Sequence, residues 1–304
     1  MKNLQGKGFK ELLERARTCP PLTVAVVDAG ETHVLQGVFE ARDEGLLKPV
    51  LIGRPDRIQE AAQALGHTEV QDPIIPVQSD QAAAEAGVEL VLQGKANALA
   101  KGWIHTDMLL HPVVRKLRTE RRVSHVFVAQ MASYHKLLCI TDAAINIEPD
   151  LLIKAAIVQN AIDLTLLLGI KEPKVAALSA VEVVKPGIAS TIDAACLSKM
   201  AERGQIKDGI VDGPLAFDNA ISAEAARIKD IHSPIAGDVD ILLAPDLNAA
   251  NILAKNLEYL AGATLAGIVV GAKVPIILPS RSDPPLARLV AAALAVLSAV
   301  DKDG

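Results

Sequence analysis

An α/β fold of two lobes, built on mostly parallel sheets with a cleft between the lobes, is what this sequence predicts. Three observations carry that expectation. Apolar, β-rich runs alternate with amphipathic helical runs along the chain, as strand–helix–strand units require. Half of the residues are hydrophobic but only 2% are aromatic, so the core is aliphatic and suits buried parallel strands covered by helices. The 304 residues exceed what one core comfortably fills, and no Gly/Ser/Pro linker divides them, so crossing strands join the lobes.

The elements follow from periodicity and punctuation. Residues 22–27 read as a strand closed by Asp28-Ala29-Gly30, and 32–44 as a helix. A strand at 50–52 and a helix at 55–65, stopped by Gly66, come next. Further strands are expected at 96–101, 123–129 and 137–140. A long helix spans 150–168, with Asp150 as its cap and Gly169 as its stop. Strands at 175–178, 241–244, 266–270 and 274–278 are interleaved with helices at 191–203, 248–261 and 284–300.

Charge and cysteine content narrow the function classes. A net charge of −5 with few aromatics argues against a nucleic-acid partner, which calls for a basic face and stacking rings. Cys19, Cys139 and Cys196 lie far apart without CxxC spacing, so a disulfide framework or zinc site is not expected. Cys139 and Cys196 sit in apolar stretches and read as small core residues. No apolar stretch suits a signal core or a membrane span, so the expected location is the cytoplasm. There is no GxxxxGK[ST], GxGxxG after a first strand, HExxH or GxSxG, which removes the commonest nucleotidase, dinucleotide, zinc-protease and hydrolase readings.

Four regions could carry chemistry. At 276–285 an apolar strand ends in Pro279-Ser280-Arg281 before a helix, with Asp283 and Pro284 at cap and first position. Free N–H groups and a guanidinium there suit an anion, whereas a capped helix with a surface Arg is the plain alternative. At 101–107, Gly102 could let a ligand approach the backbone, and His105 and Thr106 could donate to phosphate; Thr106 or Asp107 could equally just cap the helix. In 141–150, Asp142 and Asn146 are open between site and structure. Asp212 and the Asp246–Asn248 stretch open loops after apolar strands, and Asp246 or Asn248 could simply cap a helix. Three acids at strand ends could also suggest a metal, but no metal site is assigned. His33, His67 and His232 read as surface or loop residues.

Taken together, these segments resemble the phosphate acetyl/butyryltransferase family. The residues that carry the likeness are 101–106, 141–150, 179–182, 190–195, 199–206, 211–222, 245–251 and Ser280-Arg281, in order along the chain. The likeness leans towards the short butyryl-type branch. It is also similar to the acyltransferase half of fusions with an enoyl-CoA hydratase domain, whose hydratase half has no counterpart in these residues. The resemblance implies two α/β lobes of isocitrate/isopropylmalate dehydrogenase-like architecture. One lobe takes 1–138 plus 278–304, and the other takes 139–277 with the dimer contact. The implied reaction is acyl-CoA + phosphate ⇌ acyl phosphate + CoA on a butyryl or acetyl group, by direct transfer in a ternary complex. Coenzyme A and phosphate are then substrates, and no cofactor, metal, nucleic acid or membrane is expected; a homo-oligomer is.

In that reading Ser280 and Arg281 are catalytic, while Gly102, His105, Thr106, His111, Asn146, Asp212, Asp246 and Asn248 bind substrate. The acetyl-type pattern has an Asp seven residues beyond the serine, which falls on Ala287 here. Of two further arginines in that pattern, one falls near His111 and the other in 133–136, where there is none. The general base is unassigned, with His105 and His111 as candidates because imidazole titrates near neutrality. Three alternatives remain: a metal- and NAD(P)-dependent dehydrogenase on the same fold, an inactive scaffold, or an acyl phosphate:carrier-protein transferase.

Overall fold

The computed structural model describes residues 8–280 and 283–300. They divide by packing into two units. The outer unit comprises Phe9–Val123 and residues from 266 onward; the middle unit contains Ser124–Leu265. The sequence put the divisions at 138/139 and 277/278. The first differs because residues on both sides of it form one antiparallel hairpin, which packing keeps together.

The outer unit begins with α1 (Phe9–Arg17), β1 (Leu22–Val27), α2 (Thr32–Asp43) and β2 (Leu47–Gly53). It continues with α3 (Pro55–Ala64), β3 (Ile74–Pro76), α4 (Asp80–Leu92), β4 (Ala98–Lys101) and α5 (Thr106–Lys116). The middle unit holds β5 (Ser124–Gln130), β6 (Leu138–Thr141), α6 (Leu151–Leu167), β7 (Lys174–Leu178) and α7 (Ala189–Glu202). Next come β8 (Ile210–Leu215), α8 (Phe217–Ile221), α9 (Ala223–Ile228), β9 (Ile241–Leu243) and α10 (Leu247–Tyr259). The chain then adds β10 (Thr264–Val270), β11 (Ile276–Ile277) and α11 (Pro285–Val300).

In the outer unit the strand order is β3-β2-β1-β4-β11-β10. All neighbours are parallel except β10 with β11. In the middle unit the order is β5-β6-β9-β7-β8, and only β5 with β6 is antiparallel. Parallel strands buried on both faces read as continuous apolar runs, and Val24, Ala25, Val26 and Val27 of β1 are all fully buried.

Two helices show how the sequence sets the layers. α6 starts where the Asp150 carboxylate accepts the Ile153 N–H at 2.8 Å, the cap its sequence promised. α11 is buried all round from Val290 to Leu297, so that stretch has no polar face. That stretch packs against α1, α2 and β11, while Leu286 in the first turn stays 45% exposed. No described helix is long and apolar enough to cross a membrane.

Candidate active site

In the outer unit, parallel register puts Val27 beside Lys101 and Ile277 beside Ala100. The segments after β1, β4 and β11 therefore leave the sheet at one edge, its carboxyl end. Gly102 donates to the Val27 carbonyl at 2.8 Å, and Trp103 to the Asp28 carbonyl at 2.9 Å. A Cβ on Gly102 would stand 2.1 Å from the Asp28 oxygen and 2.4 Å from that of Val27. Glycine here is dictated by two strand ends closing on each other. Lys101 is buried, with its ammonium 3.4 Å from the Gly102 carbonyl.

The segment after β11 turns on itself. The Ser280 N–H donates to the Asp283 carboxylate at 2.8 Å, and the Asp283 N–H to the Ser280 carbonyl at 3.2 Å. Asp283 is 5% exposed. The expected cap at Asp283 is thus corrected: α11 begins at Pro285, and the carboxylate serves the Ser280 loop instead. Arg281 lies outside the described residues. Gly102, Ser280, Lys101, Trp103 and Arg288 share one pocket, whose apolar walls include Val26, Val34 and Ile277.

The other expected residues of this unit do not line that pocket. His105 occupies the N-cap position of α5 with an extended backbone and no side-chain cap bond. Thr106 is the first helical residue and Asp107 lies in the first turn, so neither is the cap. His111 is exposed and lines a separate depression with Glu85, Asp107 and Arg115.

The middle unit gathers its own polar residues. Thr141 of β6 and Ala177 of β7 both stand beside Leu243 of β9, so their following loops share an edge. The Asp142 carboxylate accepts the Ala144 N–H at 3.0 Å, the Ile145 N–H at 3.1 Å and the Asn146 side-chain amide at 2.6 Å. Burial pushes the Asp142 carboxyl up, and these donors oppose the rise. The same loop is tied to α10. Leu247 donates to the Ile147 carbonyl at 3.0 Å, and the Asn251 amide to that of Ala143 at 3.2 Å.

Asp246 caps α10, accepting the Ala249 N–H at 2.9 Å, and Asn248 follows, exposed. Asp212 departs from its expected loop. It lies inside β8 opposite Ala176, and its carboxylate accepts the Gly213 N–H at 2.8 Å. Asn146 and Asp246 thus share a corner at the loop joined to α10, whereas Asp212 sits on β8, with β7 between β8 and β9.

Sequence reasoning gave no role to Lys101, Arg288 or Asp28. A lysine ending a buried apolar strand was the signal for the first. Asp28 has φ 60°, a left-handed conformation few non-glycine residues adopt. Its carboxyl is pushed up by burial and by Asp80, against Arg57, Arg54 and Lys101. Cys139 is buried as expected, and burial raises its thiol, whereas Cys196 is only half-buried. Among the described residues no group of three or more His, Cys, Asp or Glu could hold a metal ion.

Residues 76–296 match the family described as phosphate acetyl/butaryl transferase. The chain belongs to the phosphate acetyl/butyryltransferase family. It is 48% identical to a phosphate acetyltransferase of Rhizobium meliloti, covering 97% of this chain and 94% of the relative. It is 39% identical to the phosphate butyryltransferase of Clostridium acetobutylicum, covering 97% and 99%. A branched-chain phosphotransacylase structure from Enterococcus faecalis V583 superposes with TM-score 0.78 at 29% identity, covering 91% of this chain and 99% of that one.

The matched relatives carry both acetyl and butyryl names, with 48% identity to the acetyl-named Rhizobium protein and 39% to the butyryl-named Clostridium one. The dehydrogenase alternative keeps a likeness of fold alone. A putative 4-hydroxythreonine-4-phosphate dehydrogenase from Salmonella typhimurium gives TM-score 0.57 at 13% identity, covering 91% of this chain and 99% of that one. Ala287, at the family's Asp position, is buried in α11. In the 133–136 stretch, Lys136 pairs with Asp238 and Asp240, both at 2.9 Å.

Proposed function

We propose that this phosphate acyltransferase moves a short acyl group, acetyl or butyryl, between coenzyme A and inorganic phosphate in a ternary complex. The observation that carries the reading is the pocket where Ser280, Gly102 and Lys101 meet at the carboxyl edge of the outer sheet. Such edges are where open α/β sheets bind ligands.

A phosphate oxygen attacks the thioester carbonyl, a tetrahedral intermediate forms, and the C–S bond breaks. The phosphate's proton ends on the departing sulfur, giving acyl phosphate and CoA thiol. Ser280 hydrogen-bonds the reacting carbonyl or sulfur, and its loop is held by Asp283. Arg281 and Lys101 offset the negative charge that develops, the largest kind of help such a step can receive. Asn146, Asp212, Asp246 and Asn248 shape and orient the middle unit's strand ends. His105, Thr106 and His111 play supporting parts in substrate binding at α5.

Two further expectations belong to the same reading. The enzyme works in the cytoplasm. It self-associates through the middle unit, where Leu152 of α6 is 73% exposed and Ile192 of α7 is 41% exposed.

The test is CoA release from acetyl-, propionyl-, butyryl- and octanoyl-CoA, with phosphate or arsenate present and absent. Release that requires the anion establishes the reaction, and the chain-length profile names the donor. Release from none of them with either anion overturns the reading.

A further inference from the structure

Phosphate and acyl phosphate both bring about two negative charges at neutral pH, and the tetrahedral intermediate adds another. The described part of the pocket beside Ser280 presents Lys101 and Arg288 as its permanent cations, with Glu31 as its acid. The Glu31 carboxylate caps α2, accepting the Val34 N–H at 3.1 Å, so its charge is directed at that helix end. His111, a basic group expected from sequence to bind substrate, faces a different depression.

Arg288 is held by an arrangement that needs a specific neighbour. It stands on α11 and its stem crosses α2 at Gly37. A Cβ on Gly37 would lie 2.9 Å from Arg288 Cδ and 3.3 Å from its Cβ. A side chain at Gly37 would have to displace that stem. The guanidinium then donates to the His33 carbonyl, one turn up α2 on the pocket side. A guanidinium has five N–H donors in a fixed fork, a geometry that matches the oxygens of a tetrahedral anion. Anchoring also removes rotamer entropy before the anion arrives, which favours binding.

We infer that Arg288, laid across α2 by Gly37 and anchored at the His33 carbonyl, is a phosphate-binding residue of this site, acting with Lys101 beside Ser280. Gly37 is its positioning residue. The inference rests on the phosphate acyltransferase reading and adds the residue that selects the anion.

The experiment is steady-state kinetics with inorganic phosphate and acyl-CoA varied separately. Arg288→Gln keeps the stem and removes the charge. It raises the KM for phosphate about tenfold or more, while the KM for acyl-CoA stays within about twofold. Arg288→Lys falls between the two. Gly37→Ala, which keeps the charge but displaces the stem, raises the phosphate KM in the same direction.

Should Arg288→Gln not fold, Arg288→Lys and Gly37→Ala decide the matter, and an unchanged phosphate KM in both overturns the inference. The phosphates of CoA itself are the other possible ligand. A loss confined to the acyl-CoA KM, and absent with an acyl-pantetheine lacking nucleotide phosphates, also overturns it. Wild-type enzyme that releases CoA only with the anion, beside variants with normal phosphate KM, sinks this inference alone. Wild-type enzyme with no anion-dependent release sinks the functional reading beneath it.

Discussion

The Asp283 carboxylate grips the backbone N–H of Ser280 at 2.8 Å from a nearly buried position. An aspartate three residues beyond a serine normally invites a catalytic or a helix-capping reading. Here it fixes the turn that presents the serine. Asp283→Ala leaves a half-buried N–H without that acceptor, at a cost of about 1 kcal/mol. Turnover falls well beyond what the unfolding midpoint explains, because Ser280 loses its placement. Asp283→Asn keeps an amide oxygen as acceptor and recovers much of the activity. Equal kcat in the two variants would count against this role.

Gly102→Ala is the severe backbone substitution. The added methyl has no space between the Val27 and Asp28 carbonyl oxygens, and neither is a flexible side-chain tip. The expected loss is about 3 kcal/mol or more, read from urea unfolding, and anion-dependent CoA release disappears with it.

His125 predicts an acid sensitivity. It is 1% exposed, both ring nitrogens lack hydrogen-bond partners, and it packs edge-on against Phe127 with ring centroids 4.4 Å apart. Burial lowers its pKa from 6.5 to about 3. Between those values the unfolded chain holds a proton that the folded one does not. Stability therefore rises with pH across that window and is lost as pH falls below about 6.5. The slope is about 1.4 kcal/mol per pH unit, or about 2 kcal/mol from pH 7.5 to 5. His125→Leu removes that part of the slope and leaves no orphaned polar atoms. Parallel pH dependences in urea titrations of the two proteins contradict the assignment.

Asp238 is an electrostatic knot in the middle unit. It meets Lys174 at 2.5 Å, His135 at 2.8 Å and Lys136 at 2.9 Å. Burial opposes ionisation, but the three donors win and hold the carboxyl far below its usual range. Its contribution is therefore present above about pH 4 and fades in stronger acid. The side chain is 46% exposed, so solvent screens it. Asp238→Asn costs about 1 kcal/mol at low salt and less at 1 M salt. A salt-independent difference contradicts an ionic origin.

The strand–helix alternation was legible because each parallel strand is a short apolar run with a turn signal behind it. β3 spans Ile74–Pro76 only, too few residues for periodicity to register. α4 escaped notice because its Ala-rich stretch carries little polar contrast. Its start was nonetheless written in Ser79, whose side chain accepts the Ala82 N–H at 3.2 Å. Asp212 was expected to open a loop after an apolar strand, yet β8 runs on through Gly213 and Pro214 to Leu215.

Of the residues that line the outer unit's pocket, local pattern singled out Gly102 and Ser280, since both follow apolar strands. It did not identify Arg288, whose relation to Ser280 depends on a helix face, nor Gly37, whose reason lies on another helix 251 residues away. Such relations come from tertiary packing and leave no local signature in the chain.

The outer unit is assembled from two stretches of sequence that flank residues 124–265 of the middle unit. A ribosome therefore delivers residues 124–265 before β11 and α11 exist, and that insert can close first. α1 and α2 meanwhile wait with the faces that α11 covers open to water. Ser280 and Arg288 arrive with β11 and α11, after residues 124–265. A nascent chain is thus silent towards its substrates until α11 docks, and over that interval its exposed apolar helices are what a chaperone would hold.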